Sequence, residues 1–222
     1  MIFGATGKTG AAILTQSLTQ GHKVTAFVRN PTKLPACEGA IIVTGDALDE
    51  RAVSTAIANA APDAILVALG SNGIMSRDYN CSKGTENIIT GLRAFKDSTR
   101  ARGGAVKSPR IIICSSMGVG DSASLIPSFV KWMLKHALAD KEPQEESVRK
   151  SGFPYVIVRP TGLRDGPPRG RALLALSLAG EKLPTSTIAR SDVADFMISC
   201  ATGIENEFLS KNVGISWATT KI

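Results

Sequence analysis

Gly4-Ala5-Thr6-Gly7-Lys8-Thr9-Gly10 sits between an apolar stub, Met1–Phe3, and a stretch with apolar Ala12, Ile13 and Leu18 on one side, Lys8–Gln20. Its reading decides the fold. A glycine turn acquires meaning from such a context, at the first junction between a strand and a helix. Gly4 permits the tight turn, Gly7 lets the backbone approach a pyrophosphate, and Gly10 lets helix and strand pack closely. The helix N-terminus then offers unpaired N–H groups and partial positive charge to phosphates. The pattern GxxxxGK[ST] is absent, which excludes a P-loop. The expectation is a dinucleotide site, with Thr6, Lys8 and Thr9 beside the glycines.

Working outward, Lys23–Val28 reads as the second strand, and the residue after it discriminates between dinucleotides. Users of NAD place a carboxylate there for the adenosine ribose. This chain places Arg29, with Lys33 four residues on. A guanidinium pairs bidentately with a 2′-phosphate that a carboxylate would repel, so NADP(H) is the expected cofactor. Gly45-Asp46-Ala47 follows the third strand, where Asp46 either accepts from an adenine amine or caps the next helix. Leu69-Gly70-Ser71 follows the fourth, where Gly70 admits the cofactor backbone.

The remaining elements keep an alternating rhythm. Strands are expected at Ala40–Val43, Ala64–Leu69, Arg110–Cys114 and Tyr155–Val158, the last running into Arg159-Pro160. Helices are expected at Asp49–Asn59 (capped by Asp46 or Asp49), Asn80–Phe95, Ser128–Ala139, Glu142–Lys150 and Ser191–Ala201, with Ser191 as cap and Asp192 in the first turn. Continuous apolar strands alternating with helices imply a parallel sheet covered on both faces. The fold class is therefore α/β, a doubly wound Rossmann-type domain spanning residues 1–222, with small C-terminal elements on the substrate side from about residue 160. One feature departs from that plan. The first strand of such a sheet is central and runs about five residues, yet only three residues precede Gly4. Missing upstream residues are the favoured explanation, with an unusually short strand as the other.

Composition narrows the function classes. Hydrophobic residues make up 43% and charged residues 20%, a globular balance, and no apolar run approaches a membrane span. Met1 runs almost directly into the glycine turn, which does not resemble a signal peptide. The four cysteines, Cys37, Cys81, Cys114 and Cys200, include no CxxC pair and read as buried or idle thiols in a reducing cytosol. Two histidines, His22 and His136, are too few and too separate for a metal cage. The net charge of +7 includes a loose cluster at Arg100, Arg102, Lys107 and Arg110, but aromatics are only 5%. An anionic small ligand accounts for that charge better than nucleic acid. A cytoplasmic monomer, bound neither to membrane nor to nucleic acid, is the default.

The segments IFGATGKTG, VTAFVRNPTKLP, VTGDALD, AILVALGS, IIICSSMG, EESVRKSGFPYVIVRPTGL and IARSDVADFM run in the order of the atypical short-chain dehydrogenases. The chain resembles their NmrA-like, NAD(P)-binding set, and more closely the NADPH-dependent flavin reductase/biliverdin-IXβ reductase group, over nearly its whole length. The resemblance implies cofactor contacts at Gly4, Thr6, Gly7, Lys8, Thr9, Arg29, Lys33, Asp46, Ala47, Leu69, Gly70 and the strand end Cys114, Ser115, Ser116. It also implies that Pro160, Thr161, Gly162 and Leu163 lie along the nicotinamide. Ser116 matches the serine beside the nicotinamide ring. Lys141 and Glu145 match a KxxxE element, with Lys141 either near the cofactor ribose or in a surface pair with Glu142. The catalytic candidates are Ser116 and Lys141. Four residues before Lys141, where ordinary short-chain dehydrogenases carry the tyrosine of YxxxK, stands Ala137. Glu145 also replaces a histidine of the mammalian enzyme.

A missing tyrosine removes the usual acid for carbonyl reduction. Tyr155 begins a strand and Tyr79 precedes a helix, so neither replaces it. A flavin or linear tetrapyrrole, which accepts hydride into a conjugated system and takes its proton from water, suits such a site. Ser116 would bond the nicotinamide amide or the acceptor, or relay a proton. Arg164 and Arg169 in the turn-rich stretch Gly162–Gly170, and Arg171 just after it, either attract an acidic acceptor or are solvated. Two other readings stand beside this one: an NADP(H)-binding redox sensor of the NmrA-like type without turnover, and a tailoring reductase acting on an aromatic polyketide-like ketone or enone.

Overall fold

The computed structural model describes residues 1–70, 79–104, 108–169, 173–177, 183 and 185–218. Ser71, Lys107, Gly170 and Arg171 lie outside the described residues. The strands are β1 (Ile2–Phe3), β2 (Thr25–Val28), β3 (Ile41–Thr44), β4 (Ala64–Val67), β5 (Arg110–Cys114), β6 (Tyr155–Pro160), β7 (Gly162–Arg164), β8 (Leu173–Ser177), β9 (Thr187–Ala189) and β10 (Lys211–Trp217). The helices are α1 (Lys8–Thr19), α2 (Glu50–Ala60), α3 (Asn80–Ala101), α4 (Ser128–Met133), α5 (Lys135–Arg149) and α6 (Arg190–Thr202).

The main sheet has the order β3-β2-β1-β4-β5-β6-β10-β8, and a small second sheet pairs β7 with β9. Within the main sheet every neighbouring pair is parallel except β10 with β8. This is the expected Rossmann-type α/β fold, with an antiparallel edge strand added. Chain order reverses beside β1, between β2 and β4, and that reversal opens a crevice above the carboxyl ends of those strands.

The core lies in two layers because the strands alternate their side chains. Ile2, Ala26, Leu66, Ile112, Val156 and Val158 face α1 and α6. Phe3, Phe27, Ile65, Val67, Ile111 and Ile157 face α2 and α3. No helix among the described residues is long and apolar enough to cross a membrane.

Several expected boundaries shift for identifiable reasons. Asp49, not Asp46, caps α2, its side chain accepting from Ala52 N at 3.0 Å. α3 continues past Phe95 to Ala101, its last turns carrying Ser98 and Thr99, whose hydroxyls bond back to Phe95 O. The break between the two following helices falls at Leu134 rather than beside Asp140. Pro143 stays inside α5 because the carbonyl that its missing N–H deprives belongs to exposed Ala139, where water can serve. Ser191 does not cap α6. Ala189 holds that position, and Ser191 Oγ donates to Gly166 O at 3.0 Å.

Candidate active site

At the end of β1, Gly4 turns the chain with φ +85°, and a Cβ there would sit 2.5 Å from Ala68 O. Only glycine fits that turn. Gly7 N donates back to Gly4 O at 3.0 Å, and the first bond of α1 runs from Ala11 N to Gly7 O at 2.7 Å. A Cβ on Gly10 would collide with Gly4 O. The turn and helix are thus in backbone contact. α1 has no side-chain cap and no acidic residue in its first turn. Its leading N–H groups are therefore left for an outside acceptor. Thr6, Gly7 and Lys8 are exposed around them, and Thr9 is half-buried.

Arg29 follows β2 directly, and Lys33 ends a short 3-10 turn, Pro31–Lys33, that Asn30 caps by accepting from Thr32 N. Both side chains are exposed and neither makes a hydrogen bond or ion pair among the described residues. Asp46 is half-buried and accepts from Leu48 N at 3.0 Å, which shapes the turn after β3. Asn87 of α3 donates to Ala47 O at 2.9 Å, while Gly84 admits both Ala47 and Leu69 against the helix. Ala47 and Leu69, on separate loops, are thereby drawn together. Gly70 is exposed, with open space where a side chain would project.

The strand end Cys114–Ser116 is held differently. Lys141 Nζ reaches from α5 to donate to Cys114 O at 2.8 Å, and it lies 4.0 Å from Cys81 Sγ. Of the two alternatives for Lys141, the surface pair with Glu142 is not formed among the described residues; Lys141 turns inward to the carbonyl that the strand end offers. Burial pushes the Cys81 thiol up to about 11 despite Lys141, and raises the Cys114 thiol as well. Both are poor nucleophiles at neutral pH. Ser116 Oγ donates to Met117 O at 3.0 Å and is half-buried. Beyond β6, Thr161 N donates to Ile215 O at 3.1 Å and Gly162 N to Ser186 O at 2.8 Å. Thr161 Oγ1 is enclosed and has no hydrogen-bond partner among the described residues. Leu163 is partly exposed.

Several features were not foreseen. Glu145, fully buried, accepts from Arg159 Nε at 2.9 Å and NH2 at 2.6 Å, from Ser115 Oγ at 2.5 Å and from Arg149 at 3.0 Å. Asp121 takes another guanidinium N–H of Arg159. Burial opposes the charge on Arg159, yet Glu145 and then Asp121 hold it firmly protonated. Asp140 caps α3 from α5, accepting from Cys81 N at 2.8 Å and Ser82 N at 2.9 Å. Its burial would raise the carboxyl, but the Ser82 and Cys81 donors hold it below the usual range. Asp165 bridges Lys8 at 2.7 Å and Arg190 at 2.6 Å across the mouth of the glycine turn. Arg164 and Arg169 are exposed, and both guanidinium groups lie against the Trp217 ring, 4.7 and 3.8 Å from its centroid. Asp192 fixes that ring by accepting from Trp217 Nε1 at 2.6 Å.

An open glycine turn, an uncapped helix and two unpaired cations at the neighbouring strand end suit a phosphate-bearing dinucleotide. The family model for NAD(P)H-binding proteins matches residues 4–203. The chain belongs to that NAD(P)H-binding family. Its cofactor is a nicotinamide dinucleotide. Among solved structures it is similar to the anaerobilin reductase ChuY of Escherichia coli O157:H7, 26% identical with a TM-score of 0.75, covering 100% of this chain and 98% of that one. A short-chain dehydrogenase/reductase of Veillonella parvula, crystallised with NADP, shares the fold at 18% identity and TM-score 0.75, covering 100% and 95% of the two chains. An uncharacterized chloroplastic protein of Arabidopsis thaliana is 27% identical over 93% of this chain and 73% of its own length.

Proposed function

We propose that this protein is an NADPH-dependent reductase delivering hydride to a conjugated acceptor such as a flavin or a linear tetrapyrrole. The observation carrying this reading is the pairing of an unpartnered Arg29 beside the glycine turn with an acid-poor strand end at Ser116. Arg29 and Lys33 bind the 2′-phosphate, and the N–H groups of α1 with Gly7 take the pyrophosphate. Asp46, Ala47, Leu69 and Gly70 form the adenine side. Ser116 and the Pro160–Leu163 backbone align the nicotinamide. The bound cofactor supplies the hydride.

The protein supplies little acid. Ala137 on α5 stands where a tyrosine would, Lys141 Nζ is committed to Cys114 O, and Ser116 donates to Met117 O. A carbonyl acceptor would lack its proton donor, whereas an isoalloxazine or tetrapyrrole takes a proton from water after hydride arrives. The similarity to an anaerobilin reductase supports the same class of acceptor.

Mixing the protein with NADPH and FMN or biliverdin, and following the nicotinamide absorbance, tests this reading. Oxidation of one NADPH per acceptor reduced is expected. Tight NADPH binding without turnover on any flavin, quinone or tetrapyrrole would overturn it in favour of a redox sensor. Turnover confined to an aromatic ketone would favour a tailoring reductase.

A further inference from the structure

Asp165, in the loop after β7, sends its two carboxylate oxygens to two different cations. Oδ2 meets Lys8 Nζ at 2.7 Å, and Oδ1 meets Arg190 Nη1 at 2.6 Å. Lys8 opens α1 beside the glycine turn, and Arg190 opens α6, which packs alongside α1. One small anion thus draws together the first residues of two helices, at a helix start whose leading N–H groups have no side-chain cap. α1 carries no acidic residue in its own first turn, so this carboxylate comes to it from 157 residues away along the chain.

Arg190 also lies toward the nicotinamide side. Burial raises the Cys114 thiol at the end of β5, while Lys141 and then Arg190 oppose that rise, so the Arg190 charge is felt at β5 as well as at the glycine turn. A dinucleotide running from the β1 turn toward the end of β5 carries its pyrophosphate between those two points.

The three charges fasten little by themselves. The Asp165 and Lys8 side chains are 64% and 71% exposed, so water and salt weaken their pair. The surrounding segment is held without them. Ser191 Oγ donates to Gly166 O at 3.0 Å, Arg169 N donates to the Asp192 carboxylate at 2.9 Å, and Gln16 Nε2 of α1 donates to Ser191 O at 3.0 Å. Pro167 and Pro168 stiffen the backbone between the first two of these bonds. The Asp165 side chain can therefore rotate away while its backbone stays in place. Charge balance favours that exchange: two cations face one carboxylate, whereas a dinucleotide pyrophosphate carries two negative charges. Lys8, and then Arg190, hold the Asp165 carboxyl below its usual range, so it is ionised at neutral pH and competes there.

We propose that Lys8 and Arg190 form a cation pair for the dinucleotide pyrophosphate, and that Asp165 occupies this pair in the free protein and is displaced when the dinucleotide binds. Arg190 is then a cofactor-binding residue, and Asp165 a built-in competitor that lowers the affinity. The inference rests on the dinucleotide site and is independent of the acceptor.

Fluorescence titration of NADPH and NADH, with urea unfolding alongside, tests this on the full chain and on Arg190→Met, Asp165→Asn and the double variant. Arg190→Met should weaken both dinucleotides by about tenfold, because the pyrophosphate is common to them. Asp165→Asn should tighten both by about threefold to tenfold and leave the urea midpoint unchanged. In the double variant that gain should shrink, since Asp165 then competes for Lys8 alone. Asp165→Asn that leaves both affinities unchanged, or weakens them, would overturn the proposal and make the trio a surface tie. Arg190→Met without effect on either dinucleotide would overturn it as well. So would a loss confined to NADPH, which would move Arg190 to the 2′-phosphate. The reductase reading is decided by turnover of an acceptor at saturating NADPH, so the two can fail separately.

Discussion

Arg29 and Arg159 both follow apolar runs at the carboxyl end of parallel strands, Thr25–Val28 and Tyr155–Val158, and the fold treats them in opposite ways. Arg29 stands in solvent with no partner among the described residues. Arg159 is 1% exposed, and Glu145 and Asp121 occupy its donors. The difference lies in what each strand end meets. β2 is next to the edge strand β3 and opens onto the crevice. β6 lies between β5 and β10 and runs under α5, which supplies Glu145. A guanidinium without a protein partner is available to a ligand phosphate; one already enclosed by carboxylates ties sheet to helix.

The severest way to break this comparison is at Glu145. Removing its carboxylate by Glu145→Ala leaves Arg159 buried beside Asp121 alone, which costs about 3–5 kcal/mol. Urea unfolding should show a loss of that size, while paired replacement by apolar residues, Glu145→Leu with Arg159→Met, should recover most of it. A loss below about 1 kcal/mol for Glu145→Ala would mean that water reaches the pair.

Arg29 should behave in reverse. Arg29→Ala leaves unfolding within about 0.5 kcal/mol, since an exposed, unpaired side chain holds nothing together. It should weaken NADPH by about tenfold or more, the scale of a charge-assisted bond to phosphate, and leave NADH within about twofold. Titration of both dinucleotides decides this. Equal losses for the two would remove Arg29 from the 2′-phosphate.

The same contrast marks what the sequence makes legible. The glycine turn, Arg29 and the apolar strands announce themselves because each is decided locally, by backbone space, strand-end position or burial on both faces. β10 is hidden because Lys211, Asn212, Gly214 and Ser216 dilute its strand signal, and its place is set by pairing with β6. The cap on α3 comes from Asp140, 59 residues away along the chain from Cys81. Glu145 and Arg159 meet only when α5 packs on β6. A readable signal did exist: a charged residue between Val158 and Pro160, within a strand covered on both faces, requires a buried partner. Ser191 failed as a cap for a similar reason, since β9 runs straight into α6 and Gly166 engages the hydroxyl.

The smallest effect is expected at Ser116, which sharpens where the unpaired edge of the site ends. Its hydroxyl proton is engaged by Met117 O, so it has lone pairs to offer and no proton to give. A nicotinamide carboxamide N–H is the natural donor to those lone pairs. Ser116→Ala should therefore lower kcat by about tenfold, the worth of one neutral orienting hydrogen bond, with NADPH binding nearly unchanged. The pH profile and the solvent isotope effect should not move, because the proposed reaction draws the acceptor's proton from water. A fall beyond about a thousandfold accompanied by a shifted pH profile would make Ser116 a proton relay instead. It would also mean that the bond to Met117 O is released when the acceptor enters.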